Sequence, residues 1–356
     1  MAHLVSNYVS NLFRLLRGDC LLSPLLVSYC VTTQCNLNCC YCEDFGARRN
    51  DQQAAPLALP EARQLLGIIR TAADSLILTG GEPLLYPPIE ELVACARREV
   101  GFRHLTMISN GLLLSRHPAV LDHLDRLIIS LDSADPEAWD QTLQAGPGTA
   151  RQIHENIIAA ASQQKARGFR LVAHCVITPE TLPQARSVLE FCLEHDIVFS
   201  FSPQSVNNWP HYDLLTSNAY RAFIHLVAEL KLAGAPILAS MAYLDMMLKF
   251  EPYACYPLLM PRIMPDGALS YPCRPIERTG DAHGGRDINL LQAKSWPAAL
   301  KQAAATYGPP PIMCSSCYQQ CYVEPSLMQS QPLALLRELV SFAPSRYASI
   351  PTYAPG

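Results

Sequence analysis

The feature that most constrains this chain is a group of three closely spaced cysteines, Cys35, Cys39 and Cys42, in a C-x3-C-x2-C spacing. Three thiolates on one short loop suit three irons of a four-iron cluster and leave the fourth iron without a protein ligand. Ferredoxin-type runs supply four thiolates and close the cluster for electron transfer. An open metal position is instead what a catalytic site requires. The alternatives are a zinc knuckle or ordinary buried cysteines, but zinc sites more often use C-x2-C pairs.

The composition is that of a folded protein that binds metal in a reducing compartment. The 356 residues are 49% hydrophobic and 16% charged, which favours one large domain or two moderate ones. The net charge of −4 does not indicate a positively charged surface for binding nucleic acid. The chain has 14 cysteines but no secretion signal and no apolar run of membrane-spanning length. We therefore expect a cytoplasmic cluster or metal protein and not a disulfide scaffold.

From Leu25 onward, apolar strands alternate with helical patterns, which predicts parallel βα units. The fold class is thus α/β, with a partial (β/α)6 barrel that resembles a TIM barrel but lacks two strands of the closed form. Functional groups should lie at the C-terminal ends of the strands, where the cysteine loop already lies. The predicted strands are 26–32, 75–79, 104–109, 126–131, 170–178 and 197–202, and the main predicted helices are 5–17, 57–73, 88–98, 117–123, 149–167, 182–195, 217–232 and 241–250.

The alternation stops near residue 236, where Cys, Pro and Gly accumulate. This profile predicts a small module with little regular structure, stabilised by a metal centre. The predicted domains are an N-terminal helix at 1–24, the barrel at 25–235, the cysteine-rich module at 236–331, and a final helix and tail at 332–356. The N-terminal helix has two interpretations, packing on the domain or contact with a membrane surface or lipid substrate, so peripheral membrane contact stays open.

A second motif, Gly80-Gly81-Glu82-Pro83, ends the second predicted strand. Its glycines allow a ligand to approach the backbone closely. Together with the cysteine loop, this turn resembles the radical S-adenosylmethionine (SAM) superfamily. The resemblance implies that SAM chelates the open iron of a [4Fe-4S] cluster on Cys35, Cys39 and Cys42, and that the Gly-Gly-Glu turn binds the amino group of SAM.

The same resemblance assigns roles to polar residues at the next strand ends. Ser109 and Asn110 would lie near the ribose and the methionine carboxylate of SAM, and Ser130 and Asp132 near the ribose. Tyr41 resembles the aromatic residue of the family loop that packs near the adenine or the cluster. As bare sequence features, these residues also suit turns, helix caps and ordinary packing.

The C-terminal cysteines form a second constellation, in which Gly267 lies between the first two: Cys255, Cys273, Cys314, Cys317 and Cys321. The first part resembles the opening of the SPASM and twitch modules that follow many radical SAM domains. The shorter twitch form implies one auxiliary [4Fe-4S] cluster on Cys255, Cys273, Cys314 and Cys317. Cys321 would then replace one ligand or remain a free thiol. A zinc ribbon is the alternative.

The resemblance implies an enzyme that cleaves SAM reductively to a 5′-deoxyadenosyl radical, which removes a hydrogen atom from the substrate. Flavodoxin or ferredoxin would donate the electron, and the auxiliary cluster would accept one during substrate oxidation. Cys175, on the fifth strand, is a weak candidate hydrogen-atom donor if it faces the barrel interior. We expect a small-molecule or lipid-like substrate because only a short stretch precedes the first strand. The alternatives are a maturase that modifies a ribosomal peptide and, in another class, a non-catalytic iron–sulfur or zinc protein.

Overall fold

The computed structural model describes residues 2–45, 54–311, 314 and 317–332. Its main sheet has eight strands in the order β10-β9-β1-β2-β3-β4-β5-β6, and a separate two-stranded hairpin joins β7 and β8. Strands β1 to β6 are parallel and in chain order. The strands are β1 Val27–Cys30, β2 Ser75–Thr79, β3 His104–Ser109, β4 Arg126–Ser130, β5 Arg170–Ile177, β6 Val198–Pro203, β7 Ser205–Val206, β8 Trp209–Pro210, β9 Arg262–Ile263 and β10 Leu269–Ser270.

Helices connect the parallel strands and continue after the sixth. They are α1 Ala2–Leu16, α2 Leu59–Arg70, α3 Ile89–Arg98, α4 Pro136–Leu143, α5 Thr149–Arg167, α6 Ala185–Glu194, α7 Tyr212–Thr216, α8 Asn218–Leu232, α9 Met241–Lys249, α10 Arg274–Thr279, α11 Leu290–Ala293, α12 Trp296–Tyr307 and α13 Gln320–Ser330. The predicted α/β partial barrel is confirmed, and the six predicted parallel strands are all present.

Side-chain alternation divides each strand between a helix-covered core and the interior of the barrel. Leu105 and Met107 on β3, and Phe199 and Phe201 on β6, belong to the main hydrophobic core with residues of the surrounding helices. Because successive strand residues point to opposite faces, the residues between them face the interior. That interior face carries many polar side chains, namely Ser28, Thr79, Thr106, Ser130, His174, Ser200 and Ser202, beside the aliphatic residues Ile77, Ile108, Ile128, Val172 and Val176.

The sheet does not end at β1, as a six-stranded barrel would. Ser28 and Tyr29 pair in parallel with Arg262 and Ile263 of β9, and β10 returns antiparallel to β9. The C-terminal hairpin therefore covers the open edge of β1, which would otherwise present unpaired backbone groups. The strand pairing crosses the domain boundary predicted at residue 236, which itself stays a prediction.

The region after residue 236 is more regular than the sequence analysis expected. Ser295 caps the start of helix α12, because its hydroxyl accepts from the backbone N–H of Ala298, and the helix buries Trp296 on the core. Helices α4 and α13 and the β7–β8 hairpin were also missed, because their short apolar patterns depend on contacts with distant parts of the chain. The final helix expected within 332–340 lies almost wholly outside the described residues.

Helix α1 packs on the domain through one face only. The side-chain amide of Asn11 donates to the carbonyl of Ser23, and the hydroxyl of Tyr8 donates to the carbonyl of Met328 on α13. The opposite face exposes an apolar stripe, Val5, Val9, Phe13 and Leu16. No helix within the described ranges is long and apolar enough to span a bilayer.

The loop that follows β1 and the turn that follows β2 contact each other backbone to backbone. The N–H of Gly81 donates to the carbonyl of Thr32 over 2.9 Å, and the N–H of Glu82 donates to the carbonyl of Gln34 over 2.7 Å. A Cβ atom at Gly81 would overlap the carbonyl oxygen of Gln34, and one at Gly80 would overlap that of Thr32. Only glycine therefore fits where the turn supports the start of the cysteine loop.

Substitution of Gly81 by alanine tests this contact. Because the added Cβ displaces backbone and not a flexible side chain, Gly81→Ala should lower the free energy of unfolding by about 1–3 kcal/mol. Gly67→Ala is the matched control, since that exposed glycine lies inside α2 with no atom within 4 Å of its added Cβ. The control should gain about 0.5–1 kcal/mol. Urea unfolding of the apo-protein measures both, and equal stability of the two variants would contradict the close contact.

Candidate functional site

The first cysteine group lies on the loop after β1, at the C-terminal edge of the sheet. Helix α4 holds this loop from the side, because the backbone N–H groups of Asn38 and Cys40 donate to the carbonyls of Leu143 and Thr142. The chain turns back at Cys42, whose N–H donates to the carbonyl of Cys39 over 3.1 Å. The loop thus has a defined backbone path before any ligand binds.

The structure brings Cys35, Cys39 and Cys42 together. Burial raises the pKa of the Cys35 thiol to about 11, and Glu82 and Cys42 add to this effect. Burial also raises the pKa of Cys39, with further contributions from Asp132, Cys42 and Cys35. Three thiolates so close together need a positively charged partner, which an iron cluster supplies. Among the described residues, no group of three or more His, Cys, Asp or Glu side chains is arranged around a single ion.

Glu82 joins the ends of β2 and β3. Its carboxylate is fully buried and accepts from the Ser109 hydroxyl over 2.8 Å and from the backbone N–H groups of Leu84 and Asn110 over 3.0 and 2.7 Å. Burial raises its pKa to about 7, although these three donors act in the opposite direction. Since donors of the protein already hydrogen-bond to the Glu82 carboxylate, a ligand would contact this turn mainly through the backbone of Gly80 and Gly81.

Asn110 and Ser109 have different surroundings although they are neighbours in sequence. The amide of Asn110 donates to the Asn36 side chain over 2.8 Å and lies 4.0 Å from the sulfur of Cys35. Ser109 is buried against Glu82. Of this pair, Asn110 is therefore the residue whose side chain lies beside the cysteine loop.

Asp132 joins the end of β4 to the cysteine loop. The hydroxyl of Tyr41 donates to one carboxylate oxygen, and the backbone N–H of Val176 donates to the other over 2.8 Å. Burial raises the pKa of Asp132 to about 6, and the hydrogen bonds only partly oppose this. Asp132, assigned to the ribose, and Tyr41, assigned to the adenine or the cluster, thus contact each other. Ser130 faces the interior two residues before Asp132.

A polar chain crosses the interior from β5 to helix α13. The two imidazole nitrogens of His174 each lie 3.1 Å from a hydroxyl, that of Ser200 and that of Ser202. The Ser200 hydroxyl in turn donates to the side-chain oxygen of Gln320 over 2.7 Å. Burial lowers the pKa of His174 to about 4, so the ring is neutral near pH 7. Both hydroxyl partners lie on the next strand, so the sequence around His174 gives no signal of them.

Cys175 was a weak candidate hydrogen-atom donor only if it faced the interior, and the structure does not meet that condition. Its side chain belongs to the helix-covered core with Ile177 and Cys192, because it alternates with His174 along β5. Among the cysteines on the described strands, Cys30 at the end of β1 faces the interior. Burial raises the pKa of the Cys30 thiol to about 12. The period-two alternation along β1 indicates this orientation once Val27 and Tyr29 are placed in the core.

The second cysteine group also converges. Cys255 lies close enough to Cys314 and Cys321 for their charges to raise its pKa further after burial, which raises it most. Burial also raises the pKa of Cys273, and the charges of Cys317, Cys255 and Cys314 raise it further. The structure therefore gathers all five predicted cysteines, and Cys321 is not separate from the other four.

Between the two cysteine groups lies a set of ion pairs that the sequence analysis missed. The carboxylate of Asp44 contacts the guanidinium groups of Arg262, Arg274 and Arg278 at 3.1, 3.3 and 3.3 Å. We call these four residues the arginine node. Burial opposes the charged form of Asp44, but the three arginines outweigh it and hold its pKa below the usual value. A lone Asp two residues after Cys42 gives no sequence signal of partners more than two hundred residues away.

Sequence comparison relates the barrel to one family. Residues 29–192 match the model of the radical SAM superfamily. A GTP 3′,8-cyclase from Synechococcus elongatus is 32% identical over 176 residues, which cover 48% of this chain and 52% of the relative. A GTP 3′,8-cyclase from Mycolicibacterium smegmatis is 32% identical over 46% of each chain. The chain thus spans about half the length of these curated relatives.

Solved structures share the fold over a longer stretch. SuiB from Streptococcus suis bound to the precursor peptide SuiA superposes with a TM-score of 0.56 and 21% identity, covering 75% of this chain and 63% of SuiB. The enzyme anSMEcpe with bound AdoMet superposes with a TM-score of 0.55 and 14% identity, covering 91% of this chain and 96% of that one.

The cysteine loop, the Gly-Gly-Glu turn that contacts it and the six parallel strands all lie within or next to the matched residues. The fold and the sequence match agree on the same stretch of chain. On this basis the stretch 29–192, somewhat less than half of the chain, matches the radical SAM superfamily.

Proposed function

We propose that this protein is an enzyme that cleaves SAM reductively on a [4Fe-4S] cluster held by Cys35, Cys39 and Cys42. The observation that carries the proposal is the convergence of these three thiols beside the Gly80-Gly81 turn. When bound, the cluster and SAM supply the electron and the 5′-deoxyadenosyl radical that removes a substrate hydrogen atom. The protein supplies the binding surface, the orientation of SAM and the exclusion of water.

The positions of the polar residues around the cysteine loop support the following proposed roles in SAM binding. The backbone of Gly80 and Gly81 would accept the amino group of SAM, because Glu82 is occupied within the protein. Asn110, beside Cys35, would contact the polar groups of SAM, and Ser130 would contact the ribose from the interior face. Ser109 and Asp132 would act mainly by fixing the neighbouring turn and Tyr41.

We assign the second cysteine group to an auxiliary [4Fe-4S] cluster. Cys255, Cys273, Cys314 and Cys317 would be its ligands, and Cys321 would be a fifth thiol close to them. Four thiolates leave no open iron, so this cluster would accept an electron from the substrate instead of binding it. A flavodoxin or ferredoxin would reduce the SAM-binding cluster. The proposed location is the cytoplasm, which such a partner and the cysteine content support.

For the substrate, we propose a small polar molecule. The interior carries serine and threonine hydroxyls and the neutral imidazole of His174, which suit a substrate with hydroxyl or amide groups. This lining disfavours the lipid-like substrate considered from sequence. The curated relatives named as GTP 3′,8-cyclases support a small-molecule substrate as well.

A peptide substrate is the second candidate. SuiB was solved bound to its precursor peptide, and another structure of anSMEcpe holds a peptide. In this chain, the β7–β8 hairpin and the first residue of α7 expose Val206, Trp209 and Tyr212, a surface that an extended peptide could cover. A gene for a short peptide beside this one, followed by a mass change of that peptide on incubation with the enzyme, would favour this candidate.

The cluster assignment predicts that Cys39 is essential for SAM cleavage and that its neighbour Cys40 is not. Cys40 is exposed and provides a matched control on the same loop. After anaerobic reconstitution and reduction with dithionite, the wild type and Cys40→Ala should form 5′-deoxyadenosine from SAM. Cys39→Ala should fall to the background without protein, because one iron loses its thiolate.

Two results would contradict this proposal. Formation of 5′-deoxyadenosine by Cys39→Ala would show that the site is placed incorrectly. A wild-type protein that binds zinc in place of iron would favour the alternative of a non-catalytic metal protein.

The auxiliary cluster predicts the iron content. The wild type should hold about eight irons per chain, and Cys273→Ala should hold about four, because each cluster has four. Cys20→Ala is the control, since Cys20 lies outside both cysteine groups, and it should keep the wild-type content. Iron and acid-labile sulfide analysis measures all three. About four irons in the wild type would refute the auxiliary cluster.

A further inference from the structure

The arginine node joins the two cysteine groups through a single carboxylate. Asp44 lies two residues after Cys42 on the first cysteine loop. Arg274 directly follows Cys273 of the second group, and Arg278 lies one turn further along α10. The carboxylate of Asp44 contacts both arginines at 3.3 Å. The path from Cys42 to Cys273 therefore consists of short chain segments and one set of ion pairs.

The third arginine fixes the node to the barrel sheet. Arg262 belongs to β9, which pairs with β1, and its guanidinium lies 3.1 Å from Asp44. The charges of Arg262 and Asp44 also reach the thiols of Cys321 and Cys30. Arg262 lowers the pKa of both thiols, and Asp44 raises it. The node is thus in electrostatic contact with the interior face of β1 and with the second cysteine group.

A second contact runs parallel to the first. Glu43, next to Asp44, forms an ion pair with Arg278, and its carboxylate accepts from the backbone N–H of Asn207 over 2.6 Å. Asn207 and Asn208 form the tip of the β7–β8 hairpin, both with positive φ. The amide of Asn208 donates to the carbonyl of Pro275 on α10 over 3.0 Å. The hairpin therefore also connects the first cysteine loop to the helix that follows Cys273.

These ion pairs are shielded from water, which makes them sensitive to small displacements. The side chain of Arg274 is only 6% exposed, and Asp44 is 22% exposed. A shielded charge that loses its partner is destabilised much more than an exposed one. A shift of α10 that separated Arg274 and Arg278 from Asp44 would therefore also shift the loop that carries Cys42.

We propose that Asp44 is a positioning residue that couples the auxiliary cluster site to SAM binding. This inference rests on the proposed function. A cluster bound to Cys273 fixes the start of α10, α10 orients Arg274 and Arg278, and these arginines hold Asp44 and the loop of Cys42. Loss of the auxiliary cluster should therefore weaken SAM binding even though none of the residues proposed to contact SAM is a proposed ligand of that cluster.

A double-mutant cycle on the SAM dissociation constant tests the coupling. The variants are Asp44→Asn, Cys273→Ala and the double variant, each reconstituted with iron and analysed for SAM binding by equilibrium dialysis. Each single substitution should weaken SAM binding about tenfold, within the usual range of coupling between sites. The double variant should bind SAM no more weakly than the single variant with the lower SAM affinity, because both changes break the same connection.

Three further variants separate positioning from general damage. Asp19→Asn removes an exposed carboxylate paired with Arg14, and it should leave SAM affinity unchanged. Asp44→Glu keeps the charge and should retain part of the coupling. Arg278→Gln leaves Asp44 with two arginines, so it should weaken SAM binding and make Cys273→Ala less harmful. If Asp44→Asn does not fold, Arg278→Gln takes its place in the double-mutant cycle.

The outcomes distinguish this inference from the proposed function. If the wild type binds iron and SAM but the effects of Asp44→Asn and Cys273→Ala multiply in the double variant, the coupling is refuted and the proposed function stands. Unchanged SAM affinity in Cys273→Ala, with its iron content halved, also refutes the coupling. If the wild type binds no SAM, the proposed function fails, and this inference fails with it.

Discussion

The site depends on direct backbone contact between the loop after β1 and the turn after β2. The hydrogen bonds from Gly81 to Thr32 and from Glu82 to Gln34 leave no room for a side chain between the two segments. Because the buried Glu82 carboxylate also accepts from Ser109 and from the Asn110 backbone, the third strand is joined to the same point. The ends of three strands thus have one common arrangement that presents the cysteine loop.

Sequence was sufficient where a local pattern determines the structure. The bounds of β2, β3 and α5 were predicted to the residue, since each has a regular period and clear ends. The cysteine spacing indicated the first candidate site because its three cysteines lie on one loop. Contacts between distant segments were not predictable: the partners of Asp44 on β9 and α10, the serines around His174, and the pairing of β9 with β1.

Burial and charge act differently in the two parts of the site. Glu82 and Asp132 have no cationic partner among their hydrogen-bond donors, so burial raises the pKa of both carboxyl groups. Asp44 is also shielded, but three guanidinium groups keep it ionised. The residues around the Gly-Gly-Glu turn are therefore organised by hydrogen bonds, while the connection to the C-terminal cysteines is organised by ion pairs.

The pairing of β9 with β1 has a consequence for how the protein is made. Strand β1 is synthesised more than two hundred residues before its outer neighbour β9. Until then the nascent barrel has a bare edge that invites pairing with other chains. A barrel fragment without the C-terminal hairpin should consequently aggregate, because the edge of β1 would stay unpaired.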